Sequence, residues 1–209
     1  GTARFLHIMR QMGLNGLNRN AEHYGLSLIL GGAEARLWQL CGIYGALGHR
    51  LNTGEEVFDL RFRREGAASG GSYSFSTAPF SRAAVWFTLQ AITENKRPVT
   101  QTNWEYFPSS RRIAWKPGTS FGHRDAWSIG LTPDYVVGVW AGNASGEGRP
   151  GLTGVLVAAP VMFDLFYLLN ESPWFEAPDA DLRLRQICAE SGMLTGRDCE
   201  TALAELVPA

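Results

Sequence analysis

The chain has 209 residues, 45% of them apolar and 19% charged, enough for one domain with a sizeable core or one domain plus a tail. Its 19 basic and 20 acidic residues leave a formal charge of -1 without long blocks of either sign, which excludes the electrostatic footprint of a nucleic-acid binder or of a protein drawn to an anionic membrane. The longest apolar stretch, residues 155–169, is interrupted by Pro160 and Asp164 and falls short of the roughly 20 residues a membrane helix needs, so no span is expected, and residues 1–12 lack the pattern of a signal peptide.

In chain order, residues 3–12 carry a helical pattern. So do residues 34–47, where Leu37, Leu40, Cys41, Tyr44 and Leu47 recur at three- and four-residue steps and form one apolar face. Between them, residues 24–32 form a short apolar run closed by Gly31 and Gly32, which reads as strand-like or extended. Val57–Phe62 alternates Val57, Asp59 and Arg61 against Phe58, Leu60 and Phe62, the pattern of a half-buried or edge strand. The glycine-rich residues 66–71 read as a loop; they lack the Gly-Lys-Ser/Thr ending that gives a phosphate cradle its chemistry. Phe80, Ala84, Phe87 and Ala91 line one side of a helix expected to start near Pro79 and Ser81 and to end before Arg97 and Pro98.

Beyond residue 112 the pattern changes. Three apolar runs, residues 113–120, 125–131 and 135–141, are separated by turn signals at Phe121-Gly122-His123 and Thr132-Pro133-Asp134, which predicts a three-stranded antiparallel meander. A glycine-rich loop over residues 142–151 leads into a long helix over 152–169. Its Leu156, Met162, Phe163, Phe166 and Tyr167 suit packing on a sheet, and Pro160 should kink it. After Ser172-Pro173-Trp174 the composition turns polar. Residues 1–170 are therefore expected to form one domain portion and residues 171–209 a polar tail or linker toward a further domain.

The four histidines, His7, His23, His49 and His123, are scattered without a two-histidine motif, so no metal site and no cofactor are expected. Cys41, in a helical apolar pattern, reads as a small buried thiol. Cys188 and Cys199 flank a polar stretch and either close a small disulfide loop in an oxidising compartment or stay free; ligands for a zinc site are lacking around them. Trp104, Trp115, Trp127 and Trp140 fit core packing better than a glycan groove, and Asn143-Ala144-Ser145 matches a glycosylation sequon.

The tetrapeptide Lys116-Pro117-Gly118-Thr119 brings together a cation, a backbone without a side chain and a hydroxyl, a set suited to an anion-binding strand edge. The run from Ile113 to Trp127 that contains it resembles the Lys-Thr-Gly-Thr-Ser region of bifunctional penicillin-binding proteins, the 1C type in particular. The resemblance continues through Val137-Gly138-Val139-Trp140-Ala141-Gly142 and through Pro150-Gly151-Leu152-Thr153-Gly154 to Ala158-Ala159-Pro160 and Phe163. Upstream, Tyr24 to Glu34 is similar to the family's segment after its Ser-x-Asn motif, so about residues 1–170 are covered.

That resemblance implies an α+β chain with a partial penicillin-binding transpeptidase fold, related to the serine beta-lactamases: an antiparallel sheet with helices packed on its faces. It implies the C-terminal half of a domain that transfers acyl groups through a serine on cell-wall peptides ending in D-Ala-D-Ala, and that captures beta-lactams. Carried over residue by residue, Lys116 would support the electrostatics and proton traffic of the site, the Thr119 backbone N–H would be an oxyanion-hole donor, and Gly118 would keep the strand edge open. Two departures stand out. Pro117 replaces the family's middle Thr or Ser, and no Ser-x-x-Lys or Ser-x-Asn occurs in the chain. In the family both motifs precede the matched segment, so the expectation is a chain inactive alone, with a parent outside the cytoplasmic membrane and anchored in it. The stem peptide and beta-lactams are the implied partners, with a complementing N-terminal half or self-association for the chain by itself. The alternative is a non-catalytic cell-wall interaction module derived from the same fold.

Overall fold

The computed structural model describes residues 1–62, 71–98 and 111–209. At its centre is a three-stranded antiparallel meander of β3 (Ala114–Thr119), β4 (Asp125–Leu131) and β5 (Val136–Gly142), in the order β3-β4-β5. The register pairs Trp115 with Gly130, Lys116 with Ile129 and Gly118 with Trp127, and then Gly130 with Val137, Ile129 with Gly138 and Trp127 with Trp140. Helix α5 (Ala159–Tyr167) covers one face, while α3 (Leu37–Thr53) and α4 (Arg82–Thr93) cover the other. This is the expected α+β arrangement of antiparallel strands with helices on their faces.

Strand alternation decides which residues meet each layer. Trp115 is fully buried among Ala159, Met162, Phe163 and Phe166 of the α5 side, its ring edge-on to Phe163 at 5.2 Å. One residue earlier, Ala114 joins Leu131, Val85, Leu89, Leu51 and Phe175 on the opposite face. A third cluster links α1 (Thr2–Gln11), α2 (Ala21–Tyr24) and α3 to the hairpin of β1 (Val57–Phe62) and β2 (Gly71–Ser76) through Leu6, Tyr24, Ile43 and Phe75. Helix and hairpin come close there because Gly42 has no side chain: a Cβ would run into the Phe75 ring.

Helix α1, β1 and the three strands of the meander lie where the patterns placed them. Other elements differ. Residues 24–32 are helical, with α2 capped by the Asn20 side chain accepting from His23 N–H at 2.9 Å and then a 3-10 segment, Gly25–Leu30, closed by Gly31 at φ 85°. The apolar run suggested a strand, yet only Leu28 is buried; Leu26, Ile29 and Leu30 stand exposed. Helix α3 starts three residues later than expected and runs six further, to Thr53, and is closed by Gly54, whose N–H bonds to Arg50 O in a left-handed cap. Gly71 opens β2, a strand the pattern did not reveal; residues 66–70 lie outside the described residues, as does Trp104.

On α4, capped as expected by Ser81 accepting from Ala84 N–H at 3.1 Å, the buried stripe is Val85, Leu89 and Thr93, not Phe80, Ala84, Phe87 and Ala91. The helix is apolar on both sides, and contact of Val85 and Leu89 with Ala114 and Leu131 chooses the face. The long helix over 152–169 is replaced by a π-helical turn, Gly154–Ala158, followed by α5. Pro160 then falls in the first turn of α5, directly after the wide π-helical turn. Leu156 and Tyr167 face solvent, while Met162, Phe163 and Phe166 are buried.

Beyond residue 170, Phe175 docks into the core and the polar stretch forms an antiparallel hairpin of β6 (Leu182–Cys188) and β7 (Ala202–Pro208). Among the described residues, no helix is long and apolar enough to cross a membrane.

Candidate functional site

Lys116, Gly118 and Thr119 lie on β3, an edge strand of the meander. Lys116 is exposed and sits inside the strand rather than at its end, its Nζ 3.3 Å from Pro117 O. Its side of the sheet is shared with Gly118, Ile129 and Gly138. Gly138 is where α3 presses closest, since a Cβ there would run into Cys41 Sγ and lie 2.9 Å from Leu37 Cδ1. Burial pushes the Cys41 thiol up to about 11, which marks a half-buried, unreactive packing group.

Backbone direction can be followed along β3. Asn95, just past α4, donates from Nδ2 to Trp115 O at 2.5 Å, so that carbonyl faces away from β4; Ser120 N–H, by contrast, bonds to Asp125 O at 3.0 Å. In an antiparallel strand a residue's N–H and C=O point the same way and successive residues alternate. Trp115, Pro117 and Thr119 therefore turn their backbone groups to the free edge, while Lys116, Gly118 and Ser120 turn theirs to β4. This parity explains how a proline fits inside a strand: its missing donor falls where no ladder bond was needed. With Trp115 O already taken by Asn95, the Thr119 N–H is the donor that the C-terminal end of this edge presents.

The side chains of Lys116 and Thr119 do not act on one face. Thr119 Oγ1 lies on the α5 side, where it accepts Gly154 N–H at 3.1 Å and ties the π-helical turn to β3. Gly154 can sit there because it is glycine: a Cβ would run into Trp127 O and stand 2.5 Å from Gly118 O. The Thr119 hydroxyl thus has a scaffold partner, while the Lys116 side chain is exposed and the Thr119 N–H is turned to the edge of the sheet.

Beside Gly118 on the Lys116 face, Trp127 and Trp140 form a partly exposed pair, ring centroids 6.2 Å apart, and Trp140 Nε1 donates to Asp125 Oδ1 at 2.9 Å. The tryptophans therefore divide: Trp115 is core, and Trp127 with Trp140 makes an aromatic shelf next to the lysine strand. Asn95, Gly154 and this shelf were not singled out as site residues. Only the Asn after a helix end and the isolated Gly before an apolar run signalled them. His123, at φ 54°, occupies the β3–β4 turn as expected. Its carbonyl accepts Arg149 N–H at 3.0 Å.

No family model matches the chain. Over 162 residues, 78% of its length, it is 31% identical to penicillin-binding protein 1C of Escherichia coli (strain K12), of whose length it spans 19%. Its fold is similar to that in the crystal structure of penicillin-binding protein 1A from Haemophilus influenzae, with a TM-score of 0.61 over 99% of this chain and 36% of that one, at 14% identity.

Proposed function

The chain belongs to the penicillin-binding protein family, and on that premise we propose that it supplies the lysine-strand half of a D,D-transpeptidase site whose nucleophilic serine lies in sequence outside these 209 residues. The reaction is serine acyl transfer on peptidoglycan stem peptides ending in D-Ala-D-Ala, with beta-lactams as covalent mimics. It takes place outside the cytoplasmic membrane in a parent anchored there.

The observation that carries this reading is the geometry of the β3 edge. An acyl donor laid along it would place its carbonyl oxygen against the outward Thr119 N–H, one donor of an oxyanion hole, and Gly118 leaves room for the peptide backbone. Lys116, whose side chain is exposed on the α3 and α4 side of the same strand, would favour the negative charge developing at the reacting centre and assist proton transfer to and from the serine. A second donor and the nucleophile would have to come from the segment carrying Ser-x-x-Lys, and the chain contains no such sequence. Pro117 withholds the hydroxyl that would hold the substrate carboxylate, so binding at that end rests on charge alone.

A fluorescent penicillin mixed with the 209-residue chain is expected to leave no covalent adduct, and a stoichiometric acyl adduct would overturn the placement of the nucleophile elsewhere. In a longer form of the protein carrying Ser-x-x-Lys and Ser-x-Asn upstream, labelling is expected, with Lys116→Ala slowing acylation about a hundred- to thousand-fold and Pro117→Thr speeding it. Absence of those motifs upstream, or acylation unaffected by Lys116→Ala, would replace this reading with that of a non-catalytic cell-wall interaction module.

A further inference from the structure

Away from the sheet, the connection between β6 and β7 gathers three side chains that the transpeptidase reading does not use. Cys188 ends β6 and is buried; Cys199 comes back beside it just before β7, and Glu190 reaches in from the first turn of the loop. Their sulfur and carboxylate atoms all lie within 4.8 Å of one another. Glu190 Oε2 accepts from Cys188 Sγ at 2.8 Å and from Cys199 Sγ at 3.8 Å, and Cys199 Sγ also lies 3.2 Å from Thr201 O. Counting only cysteines and histidines along the chain finds two ligands here; folding adds the third.

We propose that Cys188, Glu190 and Cys199 form a binding site for a zinc-like divalent cation that fixes the β6–β7 connection. A tetrahedral ion about 2.3 Å from thiolate sulfur and about 2.1 Å from carboxylate oxygen needs its ligand atoms roughly 3.5–3.8 Å apart. The observed cradle needs little adjustment to reach that spacing. Binding releases the two thiol protons to solvent, so two thiolates and one carboxylate face one dication, with water to complete the shell.

Two further observations bear on the choice of ligand. The first is that the loop has almost nothing else to hold it. Residues 189–198 are all exposed, including Met193 and Leu194, and besides the bonds to Glu190 and Ser191 the turn is closed by backbone bonds such as Gly192 N–H to Cys188 O and Cys188 N–H to Met193 O, both 2.8 Å. A short segment without a core is the setting in which a cross-link or a metal supplies the stabilisation. The second bears on the choice between them. Glu190 places one oxygen as the common acceptor of both thiols. A disulfide, with its sulfurs about 2.05 Å apart, would leave that carboxylate to solvent, whereas a cation engages all three groups.

Titration of the reduced, metal-stripped full chain with Co²⁺ tests this. One equivalent is expected to bind with a thiolate-to-cobalt charge-transfer absorption that Zn²⁺ then abolishes, and zinc is expected to protect residues 189–201 from proteolysis. Cys199→Ser should eliminate the band, Glu190→Gln should weaken binding about ten- to a hundred-fold, and Cys41→Ser should change neither. Cys199 and Glu190 lie outside the three hydrophobic clusters, so unchanged circular dichroism is the expected control for both variants. Absence of the band, equal affinity in the Glu190 and Cys199 variants, or recovery of Cys188 and Cys199 as a disulfide in chain isolated from an oxidising compartment would each overturn the proposal.

Discussion

The meander and the β6–β7 hairpin are built from strands of almost the same length, yet they are held in different ways. Every strand of the meander has helices on its faces, and Ala114, Trp115, Ala126 and Ser128 are fully buried. In the hairpin most side chains of β6 and all but one of β7 are exposed, and Leu184, Leu203 and Leu206 face water. A lone two-stranded ribbon is marginal in water. It follows that the meander owes its position to side-chain packing, whereas the hairpin depends on its backbone ladder, on Leu182, on an ion pair between Arg82 and Asp181 at 3.7 Å, and on whatever fixes its loop.

The sharpest way to break this contrast is to remove the central side chain of the meander. Trp115→Ala should cost about 3–5 kcal/mol of unfolding free energy in a urea titration; a loss under 1 kcal/mol would mean that the sheet is not held by its α5 face. Gly154→Ala should cost about 1–3 kcal/mol, because the new methyl meets the backbone of β3 and β4 and pushes the π-helical turn away from Thr119.

Alkaline pH should weaken the sheet side. Burial raises Cys41 from 9.0 to about 11 and Tyr44 from 10.0 to about 12, so the folded state holds these protons more tightly than the unfolded one. Their contribution is complete below pH 9 and falls as pH rises toward 12. The denaturation midpoint should therefore drop over that window, and less so in Cys41→Ala. The smallest effect belongs to the hairpin: Leu206→Ser should shift stability by about 0.5 kcal/mol or less, and a loss above 2 kcal/mol would show that the ribbon is packed after all.

The same contrast explains what could be read before folding. The meander announced itself because burial on both faces demands Trp, Val and Ile between sharp turns, so Ile113 to Gly142 carried both its strands and the lysine edge. The 3-10 segment did not, because Leu26, Ile29 and Leu30 are apolar for reasons other than burial in this chain. The α4 face was misjudged because a helix apolar on two sides leaves its orientation to the partner it meets. At the proposed site, the tetrapeptide puts Lys116, Gly118 and Thr119 on one strand, as its pattern suggested. That the Thr119 hydroxyl is turned to Gly154 while its N–H is turned outward follows only from register, which Asn95 and Ser120 reveal. The hairpin was invisible because exposed strands have no obligation to alternate.

Pro117 has a further consequence for the chain among its own copies. Among the described residues no strand pairs with the outer edge of β3, and an open edge strand is a template on which a neighbouring molecule can continue the sheet; such growth is how aggregates begin. At the middle of this edge the proline offers no donor, so an added strand would lose a rung there and find full pairing only beside Thr119. Pro117 thereby limits sheet extension to a short, registered stretch and works against an open-ended stack.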